Sequence, residues 1–205
     1  MTNPTMTQNK NDDRTYRSVC DFELRSEQME TGEKHLYVEG YAAKFDNPTV
    51  IYEADGIQYK EVIARGAFDN ADLTDVLFRY NHKGDVFARI KNKTLELRID
   101  NIGLWFRARL DGTEGGRNMY QSIAGEYISD MSFAFKIDKD EYDRKTHTRT
   151  LLSFKKIFDV SPVDIPAYAN TSVVAVRDYF EAREQEFQRI EQDKKRKRLA
   201  LKAII

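Results

Sequence analysis

Residues 131–158, MSFAFKIDKDEYDRKTHTRTLLSFKKIF, read as two strands joined by a polar connection. In MSFAFKI (131–137), Met131, Phe133 and Phe135 share one face at a period of two, and Ser132 and Ala134 share the other. TLLSFKKIF (150–158) is a second β-type run, and the polar DKDEYDRKTHTRT between them reads as an exposed hairpin loop. Further short strands follow on either side: LYVEGYAAKF (36–45), VLFRYNH (76–82), TLELRI (94–99), LWFRARL (104–110) and SVVAVR (172–177). Asn101-Ile102-Gly103 and Asp111-Gly112 fall between strands, where left-handed turn residues belong. GRNMYQSIAG (116–125), with Met119, Ile123 and Ala124, reads as a short helix. Many short strands with few helices predict a mainly β, α+β fold, a closed or nearly closed β-barrel surrounded by short helices.

The ends of the chain differ from this middle. Residues 1–19 are rich in Asn, Thr, Asp and Gln with almost nothing apolar to bury, which predicts a disordered leader. The barrel domain is placed at 20–177. Residues 178–205 contain no Gly or Pro and read as one charged helical tail. From Asp178 to Asp193 six acids stand against two arginines, and Lys194 to Arg198 is an unbroken basic run. Acids early and bases late complement a helix dipole, so plain helix stabilisation competes with a docking or self-cleaved tail.

Composition narrows the function classes. With 205 residues, 40% hydrophobic and 33% charged, the chain can bury a core yet is unusually polar. A formal net charge of -1 argues against a chain-wide attraction to nucleic acid or membrane. The single cysteine, Cys20, allows no internal disulfide and no cysteine-based metal site. Nothing in the sequence demands a metal or an organic cofactor. No apolar h-region stands near Met1, and no apolar run approaches the ~18 residues that span a bilayer.

Three histidines are present. His35 and His147 lie in polar, turn-like stretches. His82 ends a run in which alternation puts Val76, Phe78, Tyr80 and His82 on one strand face, a setting that favours the neutral imidazole a general base needs. Ser132 lies on the small face of its strand, where a substrate chain could approach. A serine hydroxyl is a poor nucleophile without an adjacent base, and the base must itself be oriented, usually by a carboxylate. Asp159, between an apolar segment and VSPVDIPAY, is a carboxylate expected to be partly buried and to need a partner. Linear spacing does not show that Ser132, His82 and Asp159 meet.

Four stretches in order carry a resemblance. They are VEGYAAKFDNP with YKEVIARGAFD, RYNHKGDVFARI around His82, IAGEYISDMSFAFKI around Ser132, and FDVSPVDIPAYANTSV around Asp159. Together, over residues 36–177, they resemble the tailed-phage prohead (capsid maturation) serine protease family. The resemblance implies a herpesvirus-protease-like fold and a serine endopeptidase acting inside the assembling procapsid in the host bacterial cytoplasm. It implies as partners the major capsid protein and its scaffolding segment, the portal, and further copies of the chain; specific nucleic acid and membrane are not among them. Ser132 matches the family's nucleophile and His82 its base. The third position falls on Asp159, where the family commonly has Glu; His147 or His35 would replace it in a Ser-His-His arrangement. Arg89 and Arg117 are candidates for charge assistance. The alternative function is a catalytically inactive capsid-assembly or scaffold-binding protein on the same fold, with the tail supplying the interaction.

Overall fold

The computed structural model describes residues 14–19, 22–28, 32, 34–164 and 172–202. Its spine is the expected hairpin, much extended. Strand β10 runs Asp130–Asp143 and β11 runs Thr148–Val163. The polar stretch expected as a loop is therefore mostly ladder, paired from Asp130↔Val163 to Asp143↔Thr148. Its polar residues are satisfied across the hairpin: Arg149 Nε donates to Asp140 at 2.5 Å, and Ser153 Oγ donates to Asp138 at 2.9 Å. Only residues 144–147 form the turn, where the Asp143 carboxylate accepts from the Lys145 backbone N–H at 2.9 Å.

The hairpin organises a seven-stranded sheet of order β1-β10-β11-β5-β4, where β1 is Thr15–Val19, β4 Thr49–Ala54 and β5 Ile57–Ile63. On the same edge of β11 as β5, β6 (Leu77–Arg79) pairs in parallel with its far end and with β7 (Val86–Arg89). A second, antiparallel sheet of four strands has the order β2-β3-β9-β8, with β2 at Phe22–Gln28, β3 at Lys34–Lys44, β8 at Leu95–Ile99 and β9 at Gly103–Arg109. Fully buried rings and aliphatics fill the space between, including Val38, Phe78, Leu104, Phe106, Phe133, Phe135 and Phe154.

The fold is thus mainly β with helices, as expected. The barrel does not close: among the described residues, β1 and β4 are the ends of one sheet and β2 and β8 of the other. Bulges along β10 bend the larger sheet instead, and its edge strand reaches β5 through the buried Arg17–Glu61 ion pair. The turns at 101–103 and 111–112 have no positive φ. Gly103 is required by proximity, since a Cβ there would stand 1.9 Å from the Ala43 carbonyl oxygen. The helix expected near 116–125 is α1, Glu114–Ala124, capped by the Thr113 side chain accepting from Gly116 N–H at 3.0 Å.

Both chain ends correct the reading. Thr15–Val19, inside the expected leader, form β1 on the edge of β10. SVVAVR, expected as a strand, is the start of helix α2, Ser172–Lys202. A helix with no Gly or Pro for 31 residues propagates back through these β-branched positions, whose preference against helix is about 0.5 kcal/mol each. The tail is also not loosely attached at its beginning. Phe180 is fully buried with Ile51 against Tyr52, Tyr59 and Tyr142, and Glu184 accepts from the Tyr142 hydroxyl at 2.7 Å and Arg144 Nε at 2.8 Å. Burial, and then the Glu184 carboxylate, push the Tyr142 hydroxyl well above its ordinary range. From Gln188 to Leu199 every residue is exposed. Among the described residues, no helix is both long and apolar enough to cross a membrane.

Candidate active site

The site lies where β10, β11 and the end of β6 meet. Ser132 on β10 stands opposite Ser161 on β11, and Ala134 stands opposite Asp159. In the parallel pairing of β11 with β6, Asp159 stands beside Leu77 and Val160 beside Phe78. Registers alone therefore bring the serine strand, the carboxylate strand and the chain leading to His82 together.

His82 does not continue the strand face on which alternation placed it. β6 ends at Arg79, and Tyr80–His82 form a single 3-10 turn. Asn81 (φ 47°) and His82 (φ 60°) are both left-handed, a conformation that costs a non-glycine residue about 1–3 kcal/mol unless its surroundings enforce it. The enforcement is visible. The Arg79 guanidinium donates to the Lys83 and Gly84 carbonyls at 2.5 and 2.9 Å, and Gly84 N–H closes on the Tyr80 carbonyl at 2.8 Å. The Asn81 side chain accepts from Asp164 N–H at 3.2 Å, while the Tyr80 hydroxyl donates to the Asp164 carboxylate at 3.0 Å. The turn swings the imidazole away from its strand and over β10.

There His82 bridges two partners. Its Nδ1 is 2.6 Å from Asp159 Oδ1, and its Nε2 is 2.8 Å from Ser132 Oγ. An ionised carboxylate only accepts, so the hydrogen of a neutral imidazole sits on Nδ1 and donates to Asp159. Nε2 then carries the lone pair and accepts from the Ser132 hydroxyl. Asp159, 1% exposed, also accepts from the Ser161 hydroxyl at 2.6 Å. Two charge-assisted bonds offset the cost of burying that carboxylate. Ser161 was not singled out from the sequence. The signal was there: two residues past Asp159 on one strand, its side chain falls on the same face.

The small face of β10 is not open as expected. Ser132 is 1% exposed and Ala134 fully buried, and the Tyr16 ring of β1 lies 4.4 Å from the His82 ring. The other candidates are engaged elsewhere. His147, at the hairpin turn, has Nδ1 3.0 Å from the Tyr142 hydroxyl and packs its ring on Tyr59. His35, on the second sheet, bonds Asp111 at 2.9 Å. Arg89 is held by Asp75, whose carboxyl it draws down to about 2, and Arg117 donates to the Asp111 carbonyl at 2.6 Å. Residues 165–171 of the fourth sequence stretch, like Cys20, lie outside the described residues.

A model of the caudovirus prohead serine proteases matches residues 21–186. The prohead protease of Enterobacteria phage HK97 is 27% identical over 143 residues, which cover 68% of this chain. The matched part spans 59% of that relative's length. The bacteriophage T4 capsid assembly protease gp21 resembles this chain with a TM-score of 0.42 at 13% identity, over 74% of this chain and 99% of that one.

Proposed function

The chain belongs to the caudovirus prohead serine protease family, and from that premise we propose that it is a serine endopeptidase of capsid maturation with Ser132 as nucleophile, His82 as general base and Asp159 as the orienting carboxylate. The observation that carries this reading is the unbroken line Ser132 Oγ–His82–Asp159, with contacts of 2.8 and 2.6 Å. In this mechanism His82 Nε2 takes the Ser132 proton as Oγ attacks the peptide carbonyl, then returns it to the leaving amine. Asp159 holds the tautomer and offsets the charge on the imidazolium. Ser161 fixes the carboxylate against rotation.

The proposed substrates are the scaffolding portion of the major capsid protein, or a separate scaffold protein, and the chain itself, inside the procapsid in the host cytoplasm. Association with the portal and with further copies of the chain belongs to the same proposal. The end of α2 from Gln188 onward, exposed through Leu199, is proposed as the docking segment, removed by self-cleavage. Its first turns, tied down by Phe180 and Glu184, stay with the protease domain.

The test is covalent. Prolonged incubation with a fluorophosphonate, followed by peptide mapping, should place the adduct on Ser132 and on no other serine, and His82→Ala should slow its formation at least about 100-fold. An adduct elsewhere, or one forming equally fast without His82, contradicts the assignment.

A further inference from the structure

The candidate nucleophile is closed off, and what closes it belongs to the chain's own N-terminal side. Strand β1 pairs antiparallel along β10 from Thr15↔Phe135 to Val19↔Met131, with the Ser18 backbone directly opposite Ser132. Among the described residues it is the terminal strand of its sheet and pairs only with β10. Removing it would leave the rest of the sheet order intact and expose the backbone edge of the strand that carries Ser132. An extended peptide would dock on such an edge through main-chain hydrogen bonds, which are indifferent to sequence, and specificity would come from side-chain pockets beside the lane.

One such pocket is built and filled. Arg17, 5% exposed, donates from Nε and a terminal nitrogen to the two oxygens of Glu61 at 2.5 and 2.6 Å. Its guanidinium also lies 5.7 Å from the centre of the Phe135 ring. Glu61 is 4% exposed, and besides Arg17 it has Arg149 at 3.5 Å, whose Nε is committed to Asp140. A buried carboxylate with a two-point guanidinium partner loses most when that partner leaves. A lysine cannot restore the two-point geometry.

We infer that β1 occupies the lane of the peptide substrate, and that Glu61 is a specificity-determining carboxylate for an arginine side chain of the extended peptide that replaces it. This rests on the protease reading only for the word substrate; binding itself needs no catalysis. While β1 is seated, Ser132 is shielded, so the same strand restrains the enzyme until a competing arginine-bearing segment displaces it.

The test uses the full chain carrying Ser132→Ala, so that nothing is cut, together with Arg17→Glu, which sets a carboxylate against Glu61. Arg17→Ala serves the same purpose without a new charge if the first variant fails to fold. Hydrogen exchange of the Thr15–Val19 amides should rise at least tenfold. A fluorescent peptide of residues 13–21, with Cys20 replaced by Ser, should then bind saturably. Versions with Ala or Lys in place of Arg17, and Arg14 kept, should bind at least about tenfold more weakly. Adding Glu61→Gln should erase that preference. β1 amides that stay protected in both variants, no binding despite their release, or equal binding of the three peptides would each overturn the inference. If Ser132 proves not to be a nucleophile, the peptide should still bind with the same preference, which separates the two failures.

Discussion

At the scale of single residues, the site is a set of short contacts whose members act through one another. Ser132→Ala or His82→Ala should lower peptide turnover at least about 10³-fold, and the double variant should be no worse than the poorer single one. A double variant that loses the product of the two effects, in steady-state kinetics, would mean that the pair does not act as a unit. Asp159→Asn should cost at least about 10²-fold in kcat, because an amide can donate to Nδ1 and so stabilise the tautomer that cannot take the serine proton. The Ser161 hydroxyl donates to Asp159, so in the proposed mechanism it is a positioning residue. Ser161→Ala should lower kcat several-fold and leave KM unchanged, with Ser161→Thr restoring part of the loss. A Ser161→Ala variant that moves KM alone would place the hydroxyl on the substrate. Ser132, His82 and Asp159 could be named from the sequence as candidates, their roles by resemblance, but their meeting could not be read there. The Ser132–His82 and His82–Asp159 contacts span 50 and 77 residues, and only strand registers decide such distances. The left-handed turn that presents His82 left a clue in Asn81, a residue type that tolerates that conformation.

At the scale of elements, alternation located six of the eleven described strands, passed over β1, β2, β4, β5 and β7, and misjudged the charged half of the hairpin. The outer half of the β10–β11 hairpin looked like loop because its side chains are polar; they are instead paired with each other and with Glu61. β1 escaped notice because Arg17 finds its carboxylate 44 residues away. Helix α2 shows the reverse error, since β-branched residues at its start read as strand. Two stability changes follow from the packing. Phe180→Ala should destabilise the domain by about 3–5 kcal/mol in urea denaturation, because it empties the centre of the small aromatic cluster beside β4 and β5. Gly103→Ala should cost at least about 2 kcal/mol, since β9 must move off Ala43 to admit the methyl group. Wild-type midpoints in these variants would show that α2 is only resting on the sheet, or that β3 and β9 are loosely held.

At the scale of the whole molecule, the larger sheet carries the candidate triad and the smaller one closes the core behind it. α2 leaves that body with residues 188–199 exposed to solvent. Residues 193–199 are all exposed, and removing residues 193–205 should shift stability by less than about 0.5 kcal/mol. If those residues dock the protease to capsid or scaffold protein, the same truncation should reduce the protease content of purified procapsids while peptide turnover stays at the wild-type rate; unchanged packaging would leave the end of α2 a solvated helix. Whether this chain cuts capsid protein with Ser132 is read from the intact mass of the cognate capsid protein after co-expression with the wild-type chain and with Ser132→Ala. Capsid protein should be shortened by a defined segment with the wild type and stay full-length with the variant. Equal shortening in both, or none in either, would contradict the proposed function.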